Sequence, residues 1–305
     1  MAEPLICLTG PTAAGKTDAA VALAESFDLE LVSVDSVLVY RGLCIGAAQP
    51  DYPHHLIDIR DPADVYTAAE FVEDTLSCIA DARARGRRAV LVGGTMMYYR
   101  ALIEGLSDMP ASDPLIRAEI EAEASKVGWP EMHRELMAVD PETARSLHPN
   151  HSQRISRALE VFRQTSLPMS QWQRANTQEA RKAVCLALAP GERATLHARI
   201  ETRFDGMLKA GLVEEVKTLF DRGDLHTDLP AIRAAGYRQI WSYLLGEYSL
   251  EEARDKGIAA TRQLAKRQIT WLRGWSGLHW IDSEAKNGRE QIKKHLRNYL
   301  EAPLS

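Results

Sequence analysis

The sequence predicts an α/β fold, a parallel sheet flanked by helices, interrupted by an all-helical insertion. Three observations point there. Short apolar runs bounded by glycine alternate with stretches of helical periodicity. The first run leads directly into GPTAAGKT at residues 10–17. A polar stretch in the middle of the chain has helical periodicity and no convincing strand.

The elements come in a clear order. Residues 5–8 are a strand-like run ending at Gly10, and residues 16–27 form an alanine-rich helix. Residues 29–34 are a second strand ending in Asp35-Ser36. Residues 63–85 read as a helix entered through Asp61-Pro62, and residues 88–92 as a third strand ending in Gly93-Gly94. Apolar runs of this kind suit strands buried on both faces. From about 112 to 181 the chain turns polar, and Pro130, Pro141, Pro149 and Pro168 cut it into short helices. Residues 183–188 are another strand, stopped by Pro190-Gly191. The remainder is largely helical and ends in a strand at 278–281. The expected division is therefore a core of 1–116 and 190–305 around a helical insertion at 117–189.

Composition narrows the function. The 305 residues are 45% hydrophobic and 26% charged, which excludes wholesale disorder and a small disulfide scaffold. No apolar run approaches the roughly 18 residues of a membrane span, and the N-terminus lacks a basic start and a cleavage site. Cys7, Cys44, Cys78 and Cys185 have no paired spacing, which suits reduced thiols in a cytoplasmic protein without a membrane anchor. The net charge of -5 argues against a protein coated in nucleic acid, but leaves room for a local basic surface.

Residues 10–17 match the phosphate-loop pattern in the strand-to-helix context it requires. Gly10, Pro11, Thr12, Ala13, Ala14 and Gly15 form a curl whose backbone N–H groups can face an anion. The helix after it contributes its positive end, Lys16 a mobile charge, and the Thr17 hydroxyl a ligand for Mg²⁺. The pattern predicts a di- or triphosphate without specifying ATP. The strand at 88–92 ends without the acid an ATPase uses to hold its metal. The strand-end acid is Asp35, placed to face the same crevice as the loop. It could ligate Mg²⁺, act as a general base, or cap the start of the next helix.

Residues 258–275, IAATRQLAKRQITWLRGW, hold four basic residues and no acid. Arg262, Lys266 and Arg273 share one side of a helix, Leu264, Ile269 and Leu272 can turn to the core, and Trp271 and Trp275 suit a core or interface. The interleaved glutamines favour a polyanion as partner. A small-molecule kinase would explain the phosphate loop but not this segment. A nucleotide-gated RNA-binding switch would not need Asp35.

Together the motifs GPTAAGKT (10–17), SVDSVLVYRGLCIG (33–46), HHLIDIRDP (54–62), LVGGTMMYYRAL (91–102), QRISRALEV (153–161), GYRQIWSYL (236–244) and ATRQLAKRQITWLRG (260–274) resemble bacterial tRNA dimethylallyltransferases, also called tRNA isopentenyltransferases. The resemblance spans nearly the whole chain. It implies a P-loop-kinase-like core and an insertion that grips the tRNA anticodon stem-loop. It also implies transfer of a dimethylallyl group from dimethylallyl diphosphate to N6 of adenine 37, with Mg²⁺ as cofactor, by a monomer. The catalytic set it implies is Asp35, Lys16, Thr17 and Arg203, with the loop holding the leaving diphosphate and Asp35 as the base. For the RNA it implies Asp35, Ser36, Val37, Leu38, Thr95 and Arg117. The insertion adds Gln153, Arg154, Ile155, Ser156 and Arg157. The GYRQ region adds Ala234, Ala235, Gly236, Tyr237, Arg238 and Gln239. The C-terminal segment adds Arg267, Gln268, Ile269, Thr270, Trp271, Leu272, Arg273 and Gly274. The sequence departs from the family pattern at Ala14, at Gln49 and in the short link from 50 to 54, so no contact is assigned to 47–53.

Overall fold

The structure, a computed structural model, describes residues 3–107, 109–175 and 180–301. The elements β1 (Leu5–Thr9), α1 (Lys16–Phe27), β2 (Glu30–Val34), β3 (His54–His55), α2 (Ala68–Ala84), β4 (Ala89–Gly93) and α3 (Met96–Glu104) come first. The helices α4 (Pro114–Val127), α5 (Trp129–Val139), α6 (Pro141–Ser146), α7 (Ser152–Thr165) and α8 (Met169–Arg174) come next. The chain closes with β5 (Ala183–Ala189), α9 (Arg193–Lys209), α10 (Leu212–Phe220), α11 (Tyr237–Leu244), α12 (Leu250–Arg273), β6 (His279–Asp282) and α13 (Gly288–Leu300).

All pairings in the six-stranded sheet are parallel, in the order β3-β2-β4-β1-β5-β6. The apolar runs alternate between its two faces, as a side-chain period of two requires. Ile6, Leu8, Leu31, Val90, Val92, Leu186 and Leu188 pack on one side with α1 and α13. Cys7, Val32, Val34, Leu91, Cys185 and Ala187 pack on the other with α2, α3 and α9–α12. The four cysteines are free. Among the described residues no helix is long and apolar enough to cross a membrane.

Two compact units emerge, one from the described parts of 1–103 and 181–305, the other from those of 104–180. This corrects the expected boundaries of 117 and 189. β5 belongs to the sheet, because it pairs with β1 from Leu5↔Ala183 to Thr9↔Ala187. A second correction concerns α2. It begins at Ala68, where Thr67 and Glu70 form a reciprocal capping box, and not near Asp61. Asp61 instead accepts the N–H of Ala63 and pairs with Arg222. The two-residue β3, not foreseen, lies within the HHLIDIRDP motif.

In the helical unit four prolines stand at helix starts. Pro114 and Pro141 open α4 and α6 behind the caps Asp113 and Asp140, Pro130 lies in the first turn of α5, and Pro168 caps α8. Ile120, Ala124, Met132, Leu136, Ala144, Ile155, Ala158 and Leu159 form its core. Beside this core the Glu160 carboxylate is wholly buried. One oxygen accepts from the Ser112 hydroxyl and the Asp113 N–H, both at 2.6 Å. The other accepts from Arg157 at 3.0 Å and lies 4.0 Å from Arg117. Arg157 also donates to the Pro110 carbonyl at 2.5 Å.

Glu160 is the buried member of this cluster, since the Arg157 and Arg117 side chains are 28% and 42% exposed. Glu160→Ala leaves the Asp113 N–H and the Ser112 hydroxyl without their acceptor, and should lower unfolding stability by about 1–3 kcal/mol in chemical denaturation. Arg154→Ala, on the exposed face of the same helix, should change it by less than about 0.5 kcal/mol. Equal small effects would contradict this account of the helical unit.

Candidate active site

The phosphate loop is shaped by what its backbone must avoid. At Gly10 a Cβ would stand 2.1 Å from the Leu188 carbonyl oxygen, so only glycine fits where β1 gives way to the loop. Gly15 has φ 84° and caps α1 in the left-handed conformation that glycine adopts without strain. α1 then starts at Lys16, with its N-terminal N–H groups and dipole at the loop.

An open cleft of about 1530 Å³ lies along this loop. Its wall includes Ala13 to Thr17, the cations Arg199, Arg203, Lys286 and Arg289, and residues 48–53. The Lys16 ammonium donates to the Pro11 carbonyl at 2.7 Å. Desolvation and the nearby positive charge of Arg203 pull its pKa down to about 8, with Asp35 opposing them. Burial likewise pulls Arg203 below its ordinary value, again opposed by Asp35. Its guanidinium contacts the Ala47 carbonyl at 3.4 Å. Two desolvated cations thus lie close together with one carboxylate nearby, and an anion placed between them would relieve their repulsion.

Asp35 directly follows β2 and is half-buried. Its Oδ1 accepts from the N–H groups of Val37 at 2.8 Å and Leu38 at 3.2 Å, fixing the turn after the strand. Its Oδ2 accepts no hydrogen bond among the described residues. Capping and chemistry are therefore compatible, one oxygen for each. The turn is tied to the end of β4. Thr95 Oγ1 accepts from the Ser36 N–H at 3.1 Å, and the Thr95 N–H donates to the Val34 carbonyl at 3.1 Å. Asp35 does not line the cleft itself; it is linked to it through Lys16 and Arg203.

Among the described residues no group of three or more His, Cys, Asp or Glu side chains could hold a metal ion. Thr17 offers an exposed hydroxyl on the cleft wall. One hydroxyl completed by phosphate oxygens and water is the kind of donor set that Mg²⁺ accepts, whereas a dedicated protein cage is not required.

The RNA-facing set implied by the resemblance divides by exposure. Gln153, Arg154, Arg238, Arg267, Thr270, Trp271, Arg273 and Gly274 are exposed, and Ser36, Val37, Leu38, Thr95, Ala234, Ala235, Gln239 and Ile269 are half-buried. Five others are corrected as direct side-chain contacts because the fold buries them: Ile155, Ser156, Tyr237, Gln268 and Leu272. Gly236 is buried too, and its N–H donates to Gln239. Arg117 and Arg157 are directed at Glu160. In the basic segment Arg262 pairs with Glu201 of α9 at 2.7 Å, so an acid distant in sequence balances it. Of the two settings expected for Trp271, core or interface, the core is excluded, because it is 45% exposed with the Arg100 guanidinium 5.8 Å from its ring centre. Lys266, Arg267 and Arg273 are exposed cations that pair with no acid among the described residues.

Several contributors were not foreseen. Residues 48–53, left without a role because they depart from the family pattern, line the cleft. The loop before them is held by Glu215, whose carboxylate accepts the N–H groups of Cys44, Ile45 and Gly46 and the Tyr237 hydroxyl. Gln49 donates to Asp58 at 2.7 Å. Arg199 precedes Arg203 by one helical turn, a spacing that could have revealed it. Lys286 and Arg289 carry no motif.

Known proteins match this architecture. The family described as IPP transferase matches residues 38–275, and the isopentenyl transferase family matches residues 4–59. A curated relative, tRNA dimethylallyltransferase 2 of Hahella chejuensis, is 52% identical over 302 residues, covering 92% of this chain and 91% of that protein. The full-length tRNA isopentenylpyrophosphate transferase of Bacillus halodurans superposes with a TM-score of 0.71 at 35% identity, covering 98% of this chain and 97% of the other. A eukaryotic dimethylallyltransferase acting on tRNA has a TM-score of 0.82 at 23% identity, covering 97% and 79%, a likeness that bears on the fold alone. By sequence across most of its length, the chain belongs to the IPP transferase family.

Proposed function

We propose that this chain transfers a dimethylallyl group from dimethylallyl diphosphate to N6 of adenine 37 in the anticodon stem-loop of tRNA, releasing diphosphate. The observation that carries this reading is the phosphate loop with Lys16 and Arg203 on the wall of one cleft, and Asp35 close enough to both to oppose the lowering of their pKa values. The family assignment and the names of the relatives support it.

The chemistry divides among these groups. The loop N–H groups, Lys16 and Arg203 hold the diphosphate and stabilise the charge that builds on it as the allylic C–O bond breaks. N6 of the adenine supplies the electron pair for the new C–N bond, and its proton passes to Asp35. Adenine N6 is a weak nucleophile because its lone pair is delocalised into the ring, so stabilising the leaving group is the larger task. Thr17 would hold Mg²⁺ together with phosphate oxygens, and the ion would neutralise part of the diphosphate charge. To reach the pocket the adenine must leave its stack. Exposed Arg267 and Arg273 on α12 suit phosphate contacts, and exposed Arg154 and Gln153 do so in the helical unit, whose role is to grip the stem-loop. The protein acts as a monomer.

Labelled dimethylallyl diphosphate and unmodified tRNA, with ATP hydrolysis as a control, test the reading. Label should enter adenine 37 without ATP consumption. In the same assay Asp35→Asn keeps the turn-capping oxygen but cannot take the proton. Single-turnover transfer should fall by about 10²–10⁴, with donor and tRNA affinities changed far less. Rescue by excess Mg²⁺ would instead make Asp35 a metal ligand, and an undiminished rate would leave it only a cap.

The Lys16 pKa of about 8 predicts a pH dependence. The lysine is charged below that value and loses its proton above it. Donor kcat/KM, which reports the free enzyme, should fall as pH rises past about 8. Lys16→Arg should remove that break. A profile identical in both proteins would take Lys16 out of donor binding.

A further inference from the structure

The inner face of α12 has its own task. Gln268 is 8% exposed and lies between two loops that are far apart in sequence. Its Oε1 accepts the Thr12 N–H at 2.8 Å, and its Nε2 donates to the Gly94 carbonyl at 2.8 Å. The side-chain amide presents an acceptor oxygen and a donor nitrogen in a single plane, and each atom makes one of these bonds. There is no slack on the Gly94 side, where a Cβ would stand 2.4 Å from Nε2.

The bridged loops carry the two halves of the reaction. Thr12 belongs to the phosphate loop. Gly94 precedes Thr95, which bonds to Val34 and Ser36, the residues on either side of Asp35. The Gln268 amide is therefore the one side chain that, among the described residues, hydrogen-bonds both to the donor loop and to the loop that holds the base.

We propose that Gln268 is a positioning residue that sets the spacing between the phosphate loop and Asp35, a role that rests on the proposed transfer reaction. Diphosphate affinity depends on the loop, Lys16 and Arg203, and it survives loss of the bridge. Transfer does not, because the reacting atoms must approach within roughly 3–3.5 Å, and a misplacement of about 1 Å can lower the rate by about 10².

The test compares the wild type with Gln268→Met and Gln268→Asn. Methionine has a similar length but neither partner group. Asparagine keeps the amide on a stem one carbon shorter, so it can reach one loop but not both; it is the milder variant should the methionine protein fail to fold. Three quantities are measured: affinity for inorganic diphosphate, single-turnover dimethylallyl transfer to an anticodon stem-loop, and hydrogen exchange in residues 10–17 and 93–95. The expected result is diphosphate affinity within about threefold of wild type, transfer slowed by about 10–10², and faster exchange in at least one of the two loops. A rate and an affinity that fall by the same factor would overturn the proposal, as would unchanged exchange in both loops. If the wild type itself transfers nothing, the proposed function fails, and the exchange comparison alone decides whether Gln268 holds the loops.

Discussion

At the C-terminal edge of the sheet the backbones of neighbouring strands come closer than a methyl group allows. A Cβ on Gly10 would meet the Leu188 carbonyl at 2.1 Å, and one on Gly93 would meet the Val34 carbonyl at 2.1 Å. This close approach decides where the chemistry can be. It draws the phosphate loop at the end of β1, the Asp35 turn at the end of β2 and the Gly94–Thr95 loop at the end of β4 to one edge, where parallel sheets place their ligands. Gln268 then fits between two of the three. A side chain larger than hydrogen at Gly10 or Gly93 would push these ends apart before any catalytic residue was touched.

Much of this was legible in the sequence because local rules govern it. The strands were marked by apolar runs, and the phosphate loop by glycines whose geometry no other residue supplies. Asp35 was marked by its place at a strand end. What was not legible depends on contacts across long stretches of chain. Thr12 and Gln268 are 256 residues apart, and Glu215 lies 169 to 171 residues from the backbone it holds. Glu215 lies in no motif, and the motif around Gln268 points to RNA without revealing the loops its side chain holds. The same holds for Arg262, whose balancing acid comes from another helix. The helical unit was set too narrow at its start and too wide at its end, because β5 is defined by its pairing with β1 and not by its composition.

The basic and GYRQ segments show why a motif outlines a site without assigning its contacts. Each is helical, so neighbouring positions point in different directions. In α12, Gln268 and Leu272 turn inward while Arg267, Trp271 and Arg273 face out. In α11, Tyr237 is buried against Glu215 while Arg238 is exposed. A matching motif includes both kinds of residue. Buried Gln268 and Tyr237 bond to loops or to the side chain that holds one, while the exposed members leave their cations at the surface.

A crystal structure with inorganic diphosphate and an unmodified anticodon stem-loop bound together tests the account most directly. It should show diphosphate in the loop of residues 10–17, contacted by Lys16 and Arg203. Adenine 37 should be turned out of its stack, with N6 within about 2.6–3.2 Å of Asp35. Diphosphate bound away from the loop, or an adenine N6 out of reach of Asp35, would contradict it.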